Sequence, residues 1–134
     1  MNYVAILTAG LASWLFGAIW YGTLSKPWMR AAALTDADIK GPSGKPSPAP
    51  YAISLVAEFL MAAGLLLFFL HVFKDGIGLY GALQMAALVW LCFIATSITV
   101  NHRYGMRPWS LTFIDGLHWL GVLLVQAAVF AAFM

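Results

Sequence analysis

Four long apolar runs, separated by three polar connections, dominate the pattern of the chain. The runs cover residues 2–23, 51–73, 77–101 and 109–133. Each is long enough to cross a bilayer as a helix, which takes about 20 residues. Backbone polar groups are satisfied inside hydrocarbon only in helices and closed barrels, and runs of this length are typical of helices. The pattern therefore predicts an all-α membrane fold, a four-helix transmembrane bundle formed by a single domain over residues 1–134.

The first connection, residues 24–50, is the longest of the three. Residues 26–30 near its start read KPWMR, and an aromatic ring flanked by cations is typical of a membrane interface. Pro27 is tolerated in the first turn of a helix, so we predict a short interfacial helix here. Thr35 or Asp36 is a candidate cap for one further turn. The stretch GPSGKPSPAP that follows cannot continue a helix and predicts an irregular proline-rich loop.

Basic residues are distributed unevenly between the two ends of the predicted bundle. Six of the seven Lys and Arg residues lie in the first and third connections, namely Lys26, Arg30, Lys40, Lys45, Arg103 and Arg107. The second connection contains Lys74 alone. By the positive-inside rule, we expect the two basic connections to face the cytoplasm and both termini to face the periplasm or the exterior.

Ionisable side chains also lie inside the apolar runs, where each needs a partner, water or a function. At a rise of ~1.5 Å per residue, Glu58 and Asp115 lie roughly 10 Å from the cytoplasmic ends of their runs, and His118 lies one turn deeper than Asp115. Asp115 and His118 share one helix face, and the α-helical period also aligns Asn101 with Trp90 in the third run. If these faces turn inward, they form one polar cluster that opens to the cytoplasm.

Several interpretations of this cluster stay open. Buried polar groups hold membrane helices together, and a buried carboxyl beside an imidazole is also typical of a proton or solute site. The Asp-x-x-His turn is similar to turns of metal-binding bundles, and a mononuclear site of Glu58, Asp115, His118 and His102 is chemically possible. We nevertheless predict no metal and no cofactor. No Ser, Cys or His with a supporting base stands out, so we name no catalytic residue, while a membrane enzyme acting on a lipid or quinone remains a further alternative.

Composition and small residues narrow the classes of partner. The chain is 63% hydrophobic and 9% charged, which excludes an ordinary soluble domain, and its net charge of +2 is too small to indicate nucleic-acid binding. Small residues recur every four positions at Ala5, Ala9, Ser13 and Gly17, and again at Gly78, Ala82 and Ala86. Such faces allow close helix packing, either inside the bundle or between copies of the chain.

Short motifs run through most of the chain. Gly17-Ala18-Ile19-Trp20-Tyr21 is followed by Trp28, by Leu34-Thr35 with Asp38, by the segment from Thr96 to Asn101, and by Asp115. Together these residues resemble a bacterial family of small membrane proteins, domain-of-unknown-function family 1761. The resemblance implies a four-span integral membrane protein and assigns no reaction. It also suggests that Trp20, Tyr21, Asn101 and Asp115 belong to one shared site.

The residues and the resemblance together predict a small, multi-pass protein of the bacterial inner membrane. The predicted binding cluster consists of Trp20, Tyr21, Glu58, Asn101, Asp115 and His118. We expect this pocket, in the cytoplasmic half, to bind or pass a small solute or a proton. The alternative is a non-catalytic accessory subunit that packs against a larger membrane complex through its small-residue faces. Expected partners are membrane lipids, further copies of the chain or a larger membrane complex.

Overall fold

The computed structural model describes residues 2–134 as seven α-helices and one π-helical segment. In chain order these are α1 (Tyr3–Thr23), α2 (Ser25–Ala32), α3 (Asp36–Lys40), α4 (Ala49–Val72), α5 (Leu79–Val89), the π-helical segment Trp90–Ala95, α6 (Thr96–Tyr104) and α7 (Trp109–Phe133). The rod Leu79–Tyr104, made of α5, the π-helical segment and α6, is called the third span below. Four helices, α1, α4, the third span and α7, are long and apolar enough to cross a membrane, and residues 2–134 contain no strand. The predicted all-α, four-helix membrane fold is confirmed.

The bundle is organised around α1 and α7. Helix α1 packs against both α4 and α7, and α7 also packs against α5. The small residues Ala5, Ala9, Ser13 and Gly17 are all buried in these contacts. Since residues without bulky side chains let helix backbones approach closely, this face is used inside one chain. In this structure the α1 face is therefore buried within the chain.

The two ends of the bundle differ in character. At the end that holds both chain termini, here called the terminal end, the core is apolar. Phe69 and Phe130 meet edge to face with ring centroids 6.2 Å apart, and both side chains are fully buried. Leu66 and Ala127 are equally buried beside them. The opposite end, here called the loop end, carries the first and third connections and most of the polar contacts.

The first connection folds into two short helices at the loop end. Helix α2 is present where the short helix was expected, and it ends at Ala33, whose φ of 57° lies in the left-handed region. Thr35 caps α3 in a reciprocal capping box with Asp38. Helix α4 begins at Ala49, inside the proline-rich stretch, because Pro50 occupies a first-turn position whose backbone nitrogen needs no acceptor within the helix.

The π-helical segment changes which side chains of the third span face the bundle. A π turn holds more residues than an α turn, so it rotates every later side chain around the helix axis. Trp90, which precedes this rotation, faces α7 and donates its indole Nε1–H to the Gly116 carbonyl oxygen at 2.7 Å. Asn101, which the unbroken α-helical period aligned with Trp90, is exposed instead. Its neighbour His102 turns toward α7 in its place.

Candidate functional site

Asp115 is the centre of a group of side chains at the loop end, here called the Asp115 cluster: Tyr21, Trp28, His102 and Asp115. The Oδ1 atom of Asp115 accepts hydrogen bonds from the Tyr21 hydroxyl at 2.7 Å and from the indole nitrogen of Trp28 at 3.1 Å. Its Oδ2 atom lies 3.8 Å from Nε2 of His102, too far for a hydrogen bond but close enough for an ion pair. One carboxylate on α7 therefore contacts α1, α2 and α6.

The local chain path explains this convergence. Helix α1 ends at Thr23, and Leu24, with φ −100° and ψ 15°, turns the chain into α2 within one residue. The turn brings Trp28 back against Tyr21, with their rings edge to face and centroids 5.9 Å apart. Trp20 is fixed alongside because its indole Nε1–H donates to the Ile114 carbonyl oxygen at 3.1 Å. The Trp-Tyr pair at the end of α1 thus anchors both α1 and α2 to α7.

Thr112 connects this cluster to the basic third connection. Its hydroxyl oxygen accepts a hydrogen bond from Arg103 Nη2 at 2.8 Å and lies 3.0 Å from Nδ1 of His102. The tautomer of His102 decides which partner donates the hydrogen in the contact between Thr112 Oγ1 and His102 Nδ1. The other ring nitrogen of His102, Nε2, faces Asp115.

A second group lies deeper in the bundle, here called the Glu58 cluster: Ser13, Gly17, Glu58, His118 and Gln126. The side chain of Glu58 is 2% exposed, that of His118 is 5% exposed, and those of Ser13 and Gln126 are fully buried. Gln126 Nε2 donates to the Ser13 hydroxyl and to the Glu58 carbonyl oxygen, both at 3.1 Å. This amide therefore joins α7 to α1 and α4 in the middle of the bundle.

Glu58 and His118 converge on the backbone of Gly17. A Cβ atom at that position would lie 2.8 Å from His118 Nε2 and 3.8 Å from Glu58 Oε1. Only glycine leaves both groups room to face the same space. Among residues 2–134, no hydrogen-bond partner is found for Glu58 Oε2, His118 Nδ1 or Gln126 Oε1, although all three atoms are buried. Such orphaned buried polar atoms are uncommon in folded proteins.

Aromatic rings connect the two clusters. The imidazole of His118 lies between the Tyr21 ring, with centroids 4.7 Å apart, and the Trp119 ring, at 4.8 Å. Phe16 stacks nearly parallel to it at 6.2 Å. Tyr21 thus contacts Asp115 through its hydroxyl and His118 through its ring. A chain of contacts therefore runs from Asp115 through Tyr21 to His118, which faces Gly17 together with Glu58.

The structure divides the predicted binding cluster: Tyr21 and Asp115 belong to the Asp115 cluster, with Trp20 packed beside it, whereas Glu58 and His118 belong to the Glu58 cluster. Asn101 is exposed, and no side-chain hydrogen bond is found for it within residues 2–134. Trp28 had been assigned only to the interface, and His102 only to the metal alternative, although both belong to the Asp115 cluster. Ser13 had been considered only for its small size. The polarity of Ser13 and Gln126 inside apolar runs was the available signal for the deeper cluster.

The acids and histidines do not assemble into a metal centre. Within residues 2–134, no group of three or more His, Cys, Asp or Glu side chains is arranged to hold a metal ion. Glu58 and His118 belong to one cluster, whereas Asp115 and His102 belong to the other. The four residues of the mononuclear alternative are therefore divided between two environments.

Comparison with known proteins gives one family. A search of curated proteins and a search of solved structures returned no match. The family model described as protein of unknown function, DUF1761, matches residues 4–131. This match covers all four membrane helices and both clusters. The chain therefore belongs to the DUF1761 family, as the motifs around Trp20, Tyr21 and Asp115 had indicated.

Proposed function

We propose that this protein binds a proton inside its bundle, at Glu58 and His118, and exchanges it through the Asp115 cluster at the loop end. The observation that carries the proposal is the environment of Glu58. Its side chain is 2% exposed within a membrane-crossing helix, and no partner for Oε2 is found in the described chain. An ionisable side chain in such a position indicates function, and a proton is the smallest ligand that neutralises it.

His118 supplies a second proton acceptor in the same space. Its Nε2 atom and the Glu58 carboxyl both face Gly17, so a proton leaving the carboxyl has a nitrogen acceptor nearby. The rings of Phe16, Tyr21 and Trp119 surround the imidazole.

The packing around the site supports a proton rather than a larger solute. Two grooves on the bundle are lined by mainly apolar side chains, and neither includes Glu58, His118 or Asp115. Toward the terminal end, Leu66, Phe69 and Phe130 fill the core without exposure. We therefore propose that the site is loaded and emptied from the loop end and that one bundle does not conduct protons across the membrane.

The charge distribution supports an orientation for this exchange. Arg103, Arg107 and the basic residues of the first connection all belong to the loop end. By the positive-inside rule, we propose that this end faces the cytoplasm of a bacterial inner membrane, with both termini on the opposite side. Labelling of a terminal tag in intact cells tests this orientation, and a tag reached only after the membrane is opened would contradict it.

Infrared difference spectroscopy of the purified protein in lipid nanodiscs tests the proton site. We expect one carbonyl band of a protonated carboxyl in the membrane interior, which responds to pH and disappears in Glu58→Gln. His118→Gln is expected to shift that band, because it removes the neighbouring acceptor. Asp75→Asn and His71→Gln are the matched controls, since both side chains are exposed near the terminal end. A band that survives in Glu58→Gln would refute the proposal.

A second candidate, an accessory or self-associating subunit, is favoured by the exposure of the third span. Only 6% of its most apolar window is buried, against 28–39% for the other three membrane helices. We propose this surface, rather than the small-residue faces, as the contact for a further chain. Cys92 lies exposed within it, so oxidative cross-linking in membranes provides the test. We expect a dimer that Cys92→Ala abolishes, and absence of any cross-linked product would argue against self-association here.

A further inference from the structure

We propose that a separate site on this protein binds an anionic phospholipid, with its phosphate on Arg103 and one acyl chain between the third span and α7. This site is distinct from the proton-binding pair, because neither Glu58 nor His118 lines the groove. Thr112, which does line it, also contacts His102 of the Asp115 cluster. The evidence for this site is an apolar groove between the third span and α7 that lies next to Arg103, a cation with no acidic partner.

The groove lies between the third span and α7. Its lining includes Trp90, Ile98, Thr99, Trp109, Phe113 and Leu117. It begins at the loop end, beside Trp109, and continues inward to Trp90, where the π-helical segment starts. A groove of this kind within membrane-crossing helices faces hydrocarbon, so an acyl chain matches its surface.

Arg103 lies beside the loop-end part of this groove, because it contacts Trp109 and Thr112, which both line it. Its guanidinium carbon lies 3.8 Å from the centroid of the Trp109 ring, and Nη2 donates to the Thr112 hydroxyl. Its Nε atom is buried, with no hydrogen-bond partner in residues 2–134. The ion pair between His102 and Asp115 is the one found in the described chain, so no carboxylate there lies within ion-pair distance of Arg103.

These two features share Trp109, which stacks under the guanidinium and also lines the groove. An uncompensated arginine recognises a phosphate through its fork of N–H donors. A free phosphate ion makes no use of the apolar lining, and a zwitterionic or neutral lipid makes less use of the positive charge. An anionic phospholipid uses both, which is why we assign it as the occupant.

Fluorescence quenching provides the test, because Trp90 and Trp109 both line the groove. The full chain is reconstituted into phosphatidylcholine vesicles that contain either brominated phosphatidylglycerol or brominated phosphatidylcholine. We expect stronger quenching by the anionic lipid at equal mole fraction. Arg103→Gln is expected to lower this preference about fivefold, the effect of one basic group near a membrane surface.

Three further variants make the result specific. Arg30→Gln removes an exposed cation from α2 and is expected to leave the preference unchanged. Thr99→Phe fills the groove without altering charge and is expected to lower quenching by both brominated lipids. Glu58→Gln is expected to have no effect, which separates this site from the proton site. Circular dichroism confirms that each variant retains its helices.

Three outcomes would overturn the proposal. One is an undiminished preference for phosphatidylglycerol in Arg103→Gln. The other is an equal loss in Arg30→Gln, which would mean that the basic loop end attracts anionic lipid without a defined site. Unchanged quenching in a folded Thr99→Phe variant would likewise exclude the groove as the place of the acyl chain.

Discussion

Glu58 and Asp115 are both acids within membrane-crossing helices, and the chain surrounds them in different ways. The side chain of Asp115 is 22% exposed and sits near the end of the bundle. Neutral donors from Tyr21 and Trp28 occupy its Oδ1 atom, and His102 faces its Oδ2 atom. Each of these partners comes from a different helix, so this carboxylate fixes the relative positions of α1, α2, α6 and α7.

Glu58 lies deeper, and it is only 2% exposed with Oε2 unpartnered in the described chain. The Gln126 amide contacts its backbone carbonyl rather than its carboxyl. The difference teaches that an acidic side chain in a membrane helix can serve either helix packing or proton binding. An acid whose acceptors are filled by donors from other helices stabilises the packing, whereas an acid with an unfilled acceptor remains available for a proton.

Removal of the Asp115 carboxylate is expected to have the largest effect on stability. Asp115→Ala deletes two hydrogen bonds to a charged acceptor, so we expect a loss of about 2–4 kcal/mol in the free energy of unfolding. Tyr21→Phe removes one of these hydrogen bonds and is expected to cost about 1 kcal/mol, close to the average contribution of a hydrogen bond between membrane helices. Unfolding of the purified protein in mixed micelles, followed by tryptophan fluorescence, measures both. Stability of Asp115→Ala equal to that of the unmodified chain would mean that this cluster does not hold the helices.

Gly17 offers a way to disturb the Glu58 cluster without changing its charge. In Gly17→Ala the new Cβ would lie 2.8 Å from His118 Nε2, so the imidazole must move. We expect a loss of about 1–2 kcal/mol, as for moderate overpacking of a core. Gly22→Ala is the matched control in the same helix, because nothing lies within 4 Å of its Cβ, and its effect is expected to stay within about 0.5 kcal/mol. Equal effects of the two substitutions would show that the space over Gly17 is not tightly shared.

Replacement of Glu58 by its amide isostere is expected to have little effect on stability. Glu58→Gln keeps the shape of the side chain and the backbone contact with Gln126, and it places no charge in the membrane interior. We expect a change of less than about 1 kcal/mol, because the isosteric amide keeps an oxygen that can accept from the Ser13 hydroxyl on α1. Loss of stability as large as that of Asp115→Ala would mean that both acids have the same structural use.

The membrane fold followed from the sequence because bilayer thickness fixes the length of each apolar run. Helical rise predicted similar depths for Glu58 and Asp115, but the packing buries Glu58 and leaves Asp115 22% exposed. The prediction for Asn101 was not realised, because it assumed an unbroken α-helical period through the third span. The π-helical segment Trp90–Ala95 rotates the later residues, and no proline or glycine within it signals this change.

Contacts between helices that are distant in sequence could not be predicted from the hydrophobic pattern either. The donation from Trp28 to Asp115 depends on the single-residue turn at Leu24, which folds α2 back over the end of α1. The division into two clusters depends on which atoms of neighbouring helices reach each acid. Periodicity gives the face of a helix on which a side chain lies, but it does not give the partner that the side chain meets.

Asp38 provides a third acid for the comparison, exposed and outside the membrane-crossing helices. The Thr35 hydroxyl and the Thr35 backbone N–H both donate to its Oδ2 atom, at 2.6 and 2.7 Å. These hydrogen bonds favour the ionised form, so they lower the pKa of the Asp38 carboxyl. Asp38 thus separates the effect of hydrogen-bond donors on a carboxyl from the effect of burial.

The sign of the resulting pH dependence follows from linkage. With a folded pKa below that of the unfolded chain, about 3.9, the capping contribution is complete above that value and is lost as pH falls through the folded pKa. Carbon-detected NMR titration measures the Asp38 pKa, and amide exchange in α3 reports the cap. Thr35→Val removes the hydroxyl, the larger cause, and is expected to raise the pKa toward its usual value, whereas Thr35→Ser retains the donor and is expected to leave it low.

Because the α3 cap lies apart from both membrane clusters, this titration is expected to leave the unfolding midpoint of the bundle nearly unchanged. A large shift of that midpoint between Thr35→Val and Thr35→Ser would mean that the surface carboxylate is coupled to the packing that Asp115 maintains.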